Sequence, residues 1–497
     1  MKYFRSTDIL VTAHYLGMIM EGIGIVLLLP IIVALIYQEN TYIGFLIPTL
    51  LSLGIGYILN HKFKKYHKLK MRHGMIISPL AWLWASLIGA FIMMICLNLP
   101  FENAFLENMS AWTGSGMTTF LNVEILPNSI LFLRSLEQWL GGLGVVIIFI
   151  GILIRNGSAA SKLYESEARD ERIKPSITNT LIKTLEIYGI YTAMGIILYI
   201  IVGLPIFDAI NLTFTSLSTG GMSIKNMNVG FYHNTFVNII TIVLMILGAV
   251  SFSVHYKVIK TKGIAILKDI QFQAIIIIIS IATAIIYFTS NIKFMDIIFQ
   301  VTSAITTTGA NIPPGSQIAL WPPAILIILM ILMLIGGSSG STVGSIKIIR
   351  IITFLKGINL AVLGQLSPKG RVMNTKIAGK TITDREIKEA STYIVLTLIL
   401  IIITWIFMVA YGYEPFESLF NVISAQTNNG VWIGPHHSTL PTLIKYLLTI
   451  DMWTGRLEII PVFVLVRSIY EIITSNFPAS WVPPKSRGSR AAVSAYR

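Results

Sequence analysis

Apolar runs recur along the whole chain, separated by two alternating kinds of interruption. Runs such as GMIMEGIGIVLLLPIIVALIY (17–37), AIIIIISIATAIIYF (274–288) and STYIVLTLILIIITWIFMVAY (391–411) approach or reach the roughly 20 residues a helix needs to cross a bilayer. One kind of interruption is basic: HKFKKYHKLKMRH (61–73), 155–184, 257–268 and 347–388. The other is almost free of Lys and Arg: 98–130, 204–236, 291–322 and 411–440. The pattern predicts a polytopic α-helical membrane protein, and the alternation of charge follows the positive-inside rule, which puts the amino terminus and the basic loops in the cytoplasm.

The basic-poor loops repeat. NAFLENMSAWTGSGM (103–117), DAINLTFTSLSTGGM (208–222), DIIFQVTSAITTTGA (296–310) and ESLFNVISAQTNNGV (417–431) each begin with Asp, Glu or Asn and keep helical spacing before breaking into hydroxyl or amide residues that end in glycine. A helix of about eleven residues covers only about 16 Å, half a bilayer. Irregular backbone at that depth persists only inside protein or along a watery path. Four loops, residues Thr113, Gly114, Ser115 and Gly116; Ser218, Thr219, Gly220 and Gly221; Thr306, Thr307, Thr308 and Gly309; and Thr427, Asn428, Asn429 and Gly430, therefore read as carbonyl-lined turns that can replace a cation's water shell. Glycine supplies the backbone angles that point successive carbonyls one way, and the carboxyl ends of four short helices would aim their negative dipole ends at the axis. The competing reading, a polar external connection with glycine at a turn, accounts for one copy but not for four in register.

Composition narrows the function. With 54% hydrophobic and 12% charged residues, a soluble domain is excluded. The net charge of +14 is accounted for by topology, so nucleic acid is not an expected partner. The first apolar run is too long, and lacks the small-residue cleavage site, for a removable signal peptide. One cysteine, Cys96, excludes an internal disulfide framework and a Cys-based metal site. No H-E-x-x-H helix, paired carboxylates or nucleophile–base set stands in the spans, which argues against an intramembrane enzyme. No phosphate-binding or dinucleotide fingerprint appears either. A transporter of another small cation or solute, built on inverted repeats, is the nearer rival, but the four repeats here share one orientation.

Two further features carry chemistry. GGSSGSTVGS (336–345) interrupts an apolar helix with nearly side-chain-free residues: Gly336, Gly337, Ser338, Ser339, Gly340, Ser341, Thr342 and Gly344 among them. The glycines at four-residue spacing would suit close helix packing if the stretch stayed helical; unwinding, as in discontinuous helices around ion paths, is the favoured reading. Arg456 falls inside an apolar stretch, where a charge is costly unless paired or hydrated and so is a functional candidate. A structural pair with Glu458 or Asp451, or snorkelling to an interface, is the alternative. Arg134, Glu137 and Glu21 read as structural, with Arg134 at the outer end of its helix and its head group snorkelling to water. His436 and His437 read as outer-loop residues rather than metal ligands.

These motifs resemble the Trk/Ktr/HKT superfamily of potassium transporters, its TrkH branch above all. RSLEQWLGG (134–142) resembles the start of the helix after the first filter, GGSSGSTVGSIKIIR (336–350) the broken helix of the third repeat, and GRLEIIPVFVL (455–465) the last helix. The resemblance covers about residues 10–475. It implies two extra amino-terminal helices (1–73) and four helix–pore-loop–helix repeats (74–178, 179–268, 269–388 and 389–484) around one ion path; by its composition 485–497 reads as a polar tail outside the fold. It implies potassium as the transported ion, with no covalent cofactor. The 336–345 stretch becomes an intramembrane loop across the pore just below the filter, and Arg456 an electrostatic barrier beside it. It also implies a homodimer in the inner cell membrane and a cytosolic TrkA-like ring of Rossmann-fold subunits on the basic loops, through which alone a nucleotide would act. Family filters are typically Thr-rich; TGSG and TNNG here depart from that, though glycine ends all four. A serine at the end of the first copy accompanies sodium permeation in the superfamily, so Gly116 favours potassium.

Overall fold

The computed structural model describes residues 6–144, 177–260, 263–368 and 375–475; most of the basic segment 155–184 and the whole 485–497 tail lie outside them. The described chain is a helical membrane protein. Seven of its helices are long and apolar enough to cross a bilayer, or eight if the bent pair at Thr235–Ala249 and Phe252–Val258 forms one span. Large aliphatic side chains such as Ile47, Leu50, Ile58, Ile277 and Ile281 stand exposed on the outside of these helices, where lipid rather than water satisfies them.

Ser6–Val26 and Tyr42–Phe63 form an amino-terminal pair. Their backbones touch because Gly17 and Gly56 face each other: a side chain on either would meet the other's carbonyl at 2.8 Å. Small residues permit this approach, and van der Waals contact holds it. Glu21 accepts a hydrogen bond from Asn60 across the same seam, at 3.1 Å.

Four units follow, each a long helix, a short one, a glycine turn and a helix that stops early. The long helices are Met71–Leu97, Ile177–Ile201, Ile270–Thr289 and Asp384–Ala410. The short ones are Phe101–Thr113, Ile206–Leu217, Phe294–Ile305 and Pro415–Gln426. Proline fixes the entry angle of three of them, as N-cap residue Pro100 or Pro205 or as Pro415 in the first turn. Glu102, Asp208, Asp296 and Glu417 lie in their first turns, each complementing the positive end of the helix dipole.

The helices after the turns, Asn128–Leu143, Thr235–Ala249, Pro323–Ile335 and Thr442–Arg456, have 16, 15, 13 and 15 residues. At 1.5 Å per residue they are about 20–24 Å long, short of a bilayer's ~30 Å core. Among the described residues the chain resumes as a second helix in three units: Phe252–Lys260 after a 105° bend, Ile348–Leu366 and Ile460–Ser475. The sequence reading placed a break in the third unit alone. A two-residue hairpin, Lys376–Ile377 against Lys380–Thr381, and a capping box between Thr383 and Glu386 lead into the fourth unit.

Candidate ion path

The carboxyl ends of the four short helices converge on one another, and the turns after them form a closed cycle. The geometry shows in what each final glycine leaves empty. A side chain on Gly116 would lie 2.5 Å from the carbonyl oxygen of Gly220; one on Gly221 would overlap the carbonyl of Thr308, one on Gly309 that of Asn429, and one on Gly430 that of Ser115. Each fourth residue thus leans on the third residue of the next unit, and the fourth unit leans on the first. All of these turn residues are buried except Gly116 and Gly430, which are half-buried.

Backbone angles repeat with the same period. The fourth positions have φ of +80°, +70°, +72° and +90° at Gly116, Gly221, Gly309 and Gly430. The second positions also lie in the left-handed region, at +71°, +54°, +49° and +55° for Gly114, Thr219, Thr307 and Asn428. Three of these carry side chains, for which such angles are strained and persist only where surrounding structure enforces them. Glycine content alone did not reveal this; the in-register alignment of Thr219, Thr307 and Asn428 with Gly114 was the available signal.

Side chains brace the cycle from behind. Gln138 donates from Nε2 to Gly220 O at 2.7 Å and accepts from Met222 N at 3.0 Å, clamping the second turn on both sides of Gly221. Asn421 closes the outer leg of the fourth turn through Ile433, donating to its carbonyl at 2.5 Å and accepting from its N–H at 2.9 Å. Glu107 does the same for the first, accepting from Thr119 N at 2.5 Å.

Arg134 completes that last arrangement and corrects the sequence reading. It does not snorkel: it is 2% exposed, pairs through Nε with Glu107 at 2.9 Å, and donates to Ser223 O at 3.0 Å. A buried carboxylate already turned toward the loop outweighs the pull of the interface, because an uncompensated buried charge would cost several kcal/mol.

The outer histidines lie over the same unit. His436 donates from Nε2 to Phe120 O at 3.2 Å, and His437 packs tilted against Trp432 with ring centroids 4.0 Å apart. Burial lowers both imidazoles from their ordinary range, His437 to about 3.

Beneath the cycle lies a layer without fourfold repetition. Residues 336–347 are not helical, so a packed helical seam is absent. The segment is stitched to the broken end of the second unit: Ser338 N donates to Ala249 O at 3.0 Å, and Thr342 donates to Gly248 O from both N and Oγ1, at 3.1 and 3.0 Å. It touches the cycle directly, Thr342 Oγ1 lying 3.0 Å from Thr219 Oγ1, and Gly344 N donating to Thr307 Oγ1 at 3.2 Å. Its far end is held by Glu458, which accepts from Lys347 at 2.6 Å and from Arg350.

Arg456 is set into this layer by the residue before it. Gly455 allows the helix end to close on the carbonyl of Gln426, as Gly141 does at Trp112 O and Gly248 at Leu217 O; in each case the carbonyl belongs to the residue just before a turn. These three glycines were missed in the sequence, where LGGL, LGAV and TGRL looked like ordinary small-residue stretches. The Arg456 guanidinium then donates to the carbonyls of Gly141 at 2.5 Å, Gly142 at 2.8 Å and Thr342, and lies 5.7 Å from the centre of the Trp82 ring. It bridges the first unit to the 336–347 segment. Glu458 is engaged with Lys347 and Arg350 instead, and Asp451 faces Thr404.

Comparison with known proteins gives one consistent result. A family described as cation transport protein matches residues 44–293 and 273–472. An uncharacterized cation transporter of Methanocaldococcus jannaschii is 40% identical over 92% of this chain and 95% of its own. The Trk system potassium uptake protein TrkH of Salmonella typhimurium is 27% identical over 88% and 94%. The crystal structure of the potassium transporter TrkH from Vibrio parahaemolyticus shares the fold, with a TM-score of 0.82 at 24% identity over 92% of this chain and 98% of that one.

Proposed function

The chain belongs to the TrkH family of cation transport proteins, and from that premise we propose that it takes up potassium through the cycle of four glycine-ended turns. The observation that carries the reading is the cycle itself: four equivalent glycines, each fitted against the third carbonyl of the next unit. A hole bounded by backbone oxygens exchanges an ion's hydration shell for carbonyl dipoles. Repeats 74–178, 179–268, 269–388 and 389–484 would each supply one quarter, at 113–116, 218–221, 306–309 and 427–430. The relatives TrkH of Salmonella typhimurium and TrkG and TrkH of Escherichia coli are named potassium uptake proteins, which supports potassium as the ion in this reading.

Residues 336–344 and Arg456 form the gate in this reading. Nearly side-chain-free backbone lies directly under the turns, and a fixed positive charge is tied to it through Thr342 O. A cation leaving the turns on that side must displace the segment and pass the charge. The work is transport rather than catalysis. An inside-negative potential contributes about 2.3 kcal/mol per charge per 100 mV, enough for uptake against a gradient of tens of fold without a coupled ion. The chain would sit in the inner cell membrane as a homodimer with its amino terminus in the cytoplasm. There the basic loops would dock a TrkA-like ring of nucleotide-binding, Rossmann-fold subunits.

The direct experiment is expression in cells stripped of their own potassium systems and starved at low external potassium. Growth and potassium uptake restored by the chain, and lost in Gly309→Ala, support the reading. Restored uptake that is indifferent to Gly309 removes the cycle from the ion path.

A further inference from the structure

Glu137 is 1% exposed, on the helix Asn128–Leu143 one turn beyond Arg134, and none of the bonds described above includes it. Neither of its carboxyl oxygens receives a hydrogen bond from a described residue. Two other helices face it. From Met71–Leu97 comes Gly89, whose absent side chain would lie 2.6 Å from Glu137 Oε1 and closer still to Asn108 Oδ1. From Phe101–Thr113 come Asn108 and, one turn on, Trp112, whose indole N–H is directed at the carboxyl without reaching hydrogen-bond geometry. The charged groups facing it are Glu107 on the short helix and Arg134 on its own, already paired with each other; Met71–Leu97 carries no ionisable side chain within a turn of Gly89.

The amide of Asn108 decides the chemistry. Its Nδ2 donates to Ala104 O at 2.7 Å and reaches Met93 Sδ at 3.2 Å, so both N–H bonds are committed and Oδ1 is the atom left facing Glu137. The flipped amide would set Oδ1 against a carbonyl and a thioether, three acceptors with no proton among them. Two acceptor oxygens flank the same point beside Gly89, both within 2.6 Å of where its side chain would start, and a proton shared between them is one that a carboxylic acid supplies and a carboxylate does not. We propose that Glu137 is held as the neutral acid and donates its O–H to Asn108 Oδ1, and that this bond positions the first turn of the cycle. The link is short. Trp112 immediately precedes Thr113, and its carbonyl is the one that closes on Gly141, one turn past Glu137. Glu137 thereby sets the rotation of the short helix about its own axis, and with it the direction of the carbonyls that follow. Its effect on ions rests on the four turns being the filter; its protonation state does not.

Two measurements on the full chain in liposomes test this. The infrared difference spectrum between the natural protein and Glu137→Gln shows the carbonyl stretch of a protonated carboxylic acid, constant across neutral pH; a carboxylate signature in its place overturns the proposal. The potassium-to-sodium flux ratio stays within about twofold in Glu137→Gln, whose amide can also donate to Oδ1, and falls about fivefold in Glu137→Leu, as expected for losing one buried hydrogen bond. A natural ratio in Glu137→Leu, or an equal fall in both variants, overturns the positioning role. Should Glu137→Leu fail to fold, the infrared band and Glu137→Gln still decide. A natural protein that does not discriminate between the ions removes the filter reading, while the infrared band continues to report on Glu137.

Discussion

The two layers that meet at the centre of the molecule are built on opposite plans. The upper one is written four times, each copy ending in glycine against its neighbour's carbonyl. The lower one is written once, as a single unwound segment pinned by one arginine and by the Glu458, Lys347 and Arg350 cluster. A ring around an axis needs equal oxygens on every side, which repetition supplies. An obstruction needs only one strand across the axis. The upper layer is held by mutual fit of glycine to carbonyl, the lower one by a few hydrogen bonds.

That contrast predicts the largest losses in the upper layer. Gly309→Ala or Gly430→Ala places a methyl group onto a neighbouring carbonyl at a positive φ. Two such conflicts, each on the order of 2 kcal/mol, should cut potassium flux per folded transporter on the order of a hundredfold or more. Near-natural flux in either variant would mean the turns do not set the path.

Shortening 336–345 should act the other way, raising basal potassium flux about tenfold, as losing one or two of the segment's hydrogen bonds allows, with ion preference unchanged. Loss of folded protein without any gain in flux would turn the segment back into a structural seam.

Arg456 is expected to give a smaller gain. A fixed charge about 5 Å from a cation at an effective dielectric near 20 repels it by roughly 3 kcal/mol, and water in the path reduces that. Arg456→Ala should therefore speed flux several-fold and Arg456→Lys change it little. Slower or unchanged flux in well-folded Arg456→Ala would end the barrier role.

Gly116→Ser probes the least crowded link of the ring, where the neighbouring carbonyl stands at 2.5 Å rather than closer. It should fold and raise sodium relative to potassium by about threefold, on the scale of one altered polar contact. Unchanged ion ratios would take Gly116 out of the filter.

The smallest effect belongs to the outer loops. Burial lowers the folded-state pKa of His437 to about 3, below its unfolded value, so the unfolded chain binds more protons between these limits. The stability this imidazole confers is full above its unfolded pKa of about 6.5 and is lost as pH falls toward 3, on the order of 2 kcal/mol by pH 5. His437→Phe should flatten the fall in melting temperature between neutral and mildly acidic pH; an unaltered slope would show that other groups carry it.

What the sequence made legible divides along the same line. The turns at 113–116, 218–221, 306–309 and 427–430 stood out because four copies in register cancel chance, and the unwound segment stood out by composition. Contacts between units left no such trace. Gln138 reaching Gly220, and Arg134 reaching Glu107, depend on which helix faces which, and no local periodicity records that. The early stop of the other second helices was hidden for a related reason: at Gly248 the neighbouring residues are still apolar and at Gly455 they are mixed polar and charged, and in both places only the meeting with a carbonyl from another helix requires the glycine. Arg134 shows the limit of an interfacial rule, which assumes water is the best partner available.

The cyclic lean of the glycines also bears on the order in which the molecule comes into being. Ser115 is joined to Asn428 at 3.3 Å across 313 positions of chain, and Gly430 is fitted to the carbonyl of Ser115. In a chain synthesised from its amino end, the face of Ser115 that meets the fourth unit therefore waits through most of translation for its partner. The surface left for the fourth unit must stay unoccupied, or be covered temporarily, until the last repeat enters the membrane. Ribosome stalling after the third repeat would leave a folded but open assembly, and the ion path would be the last part of the protein to exist.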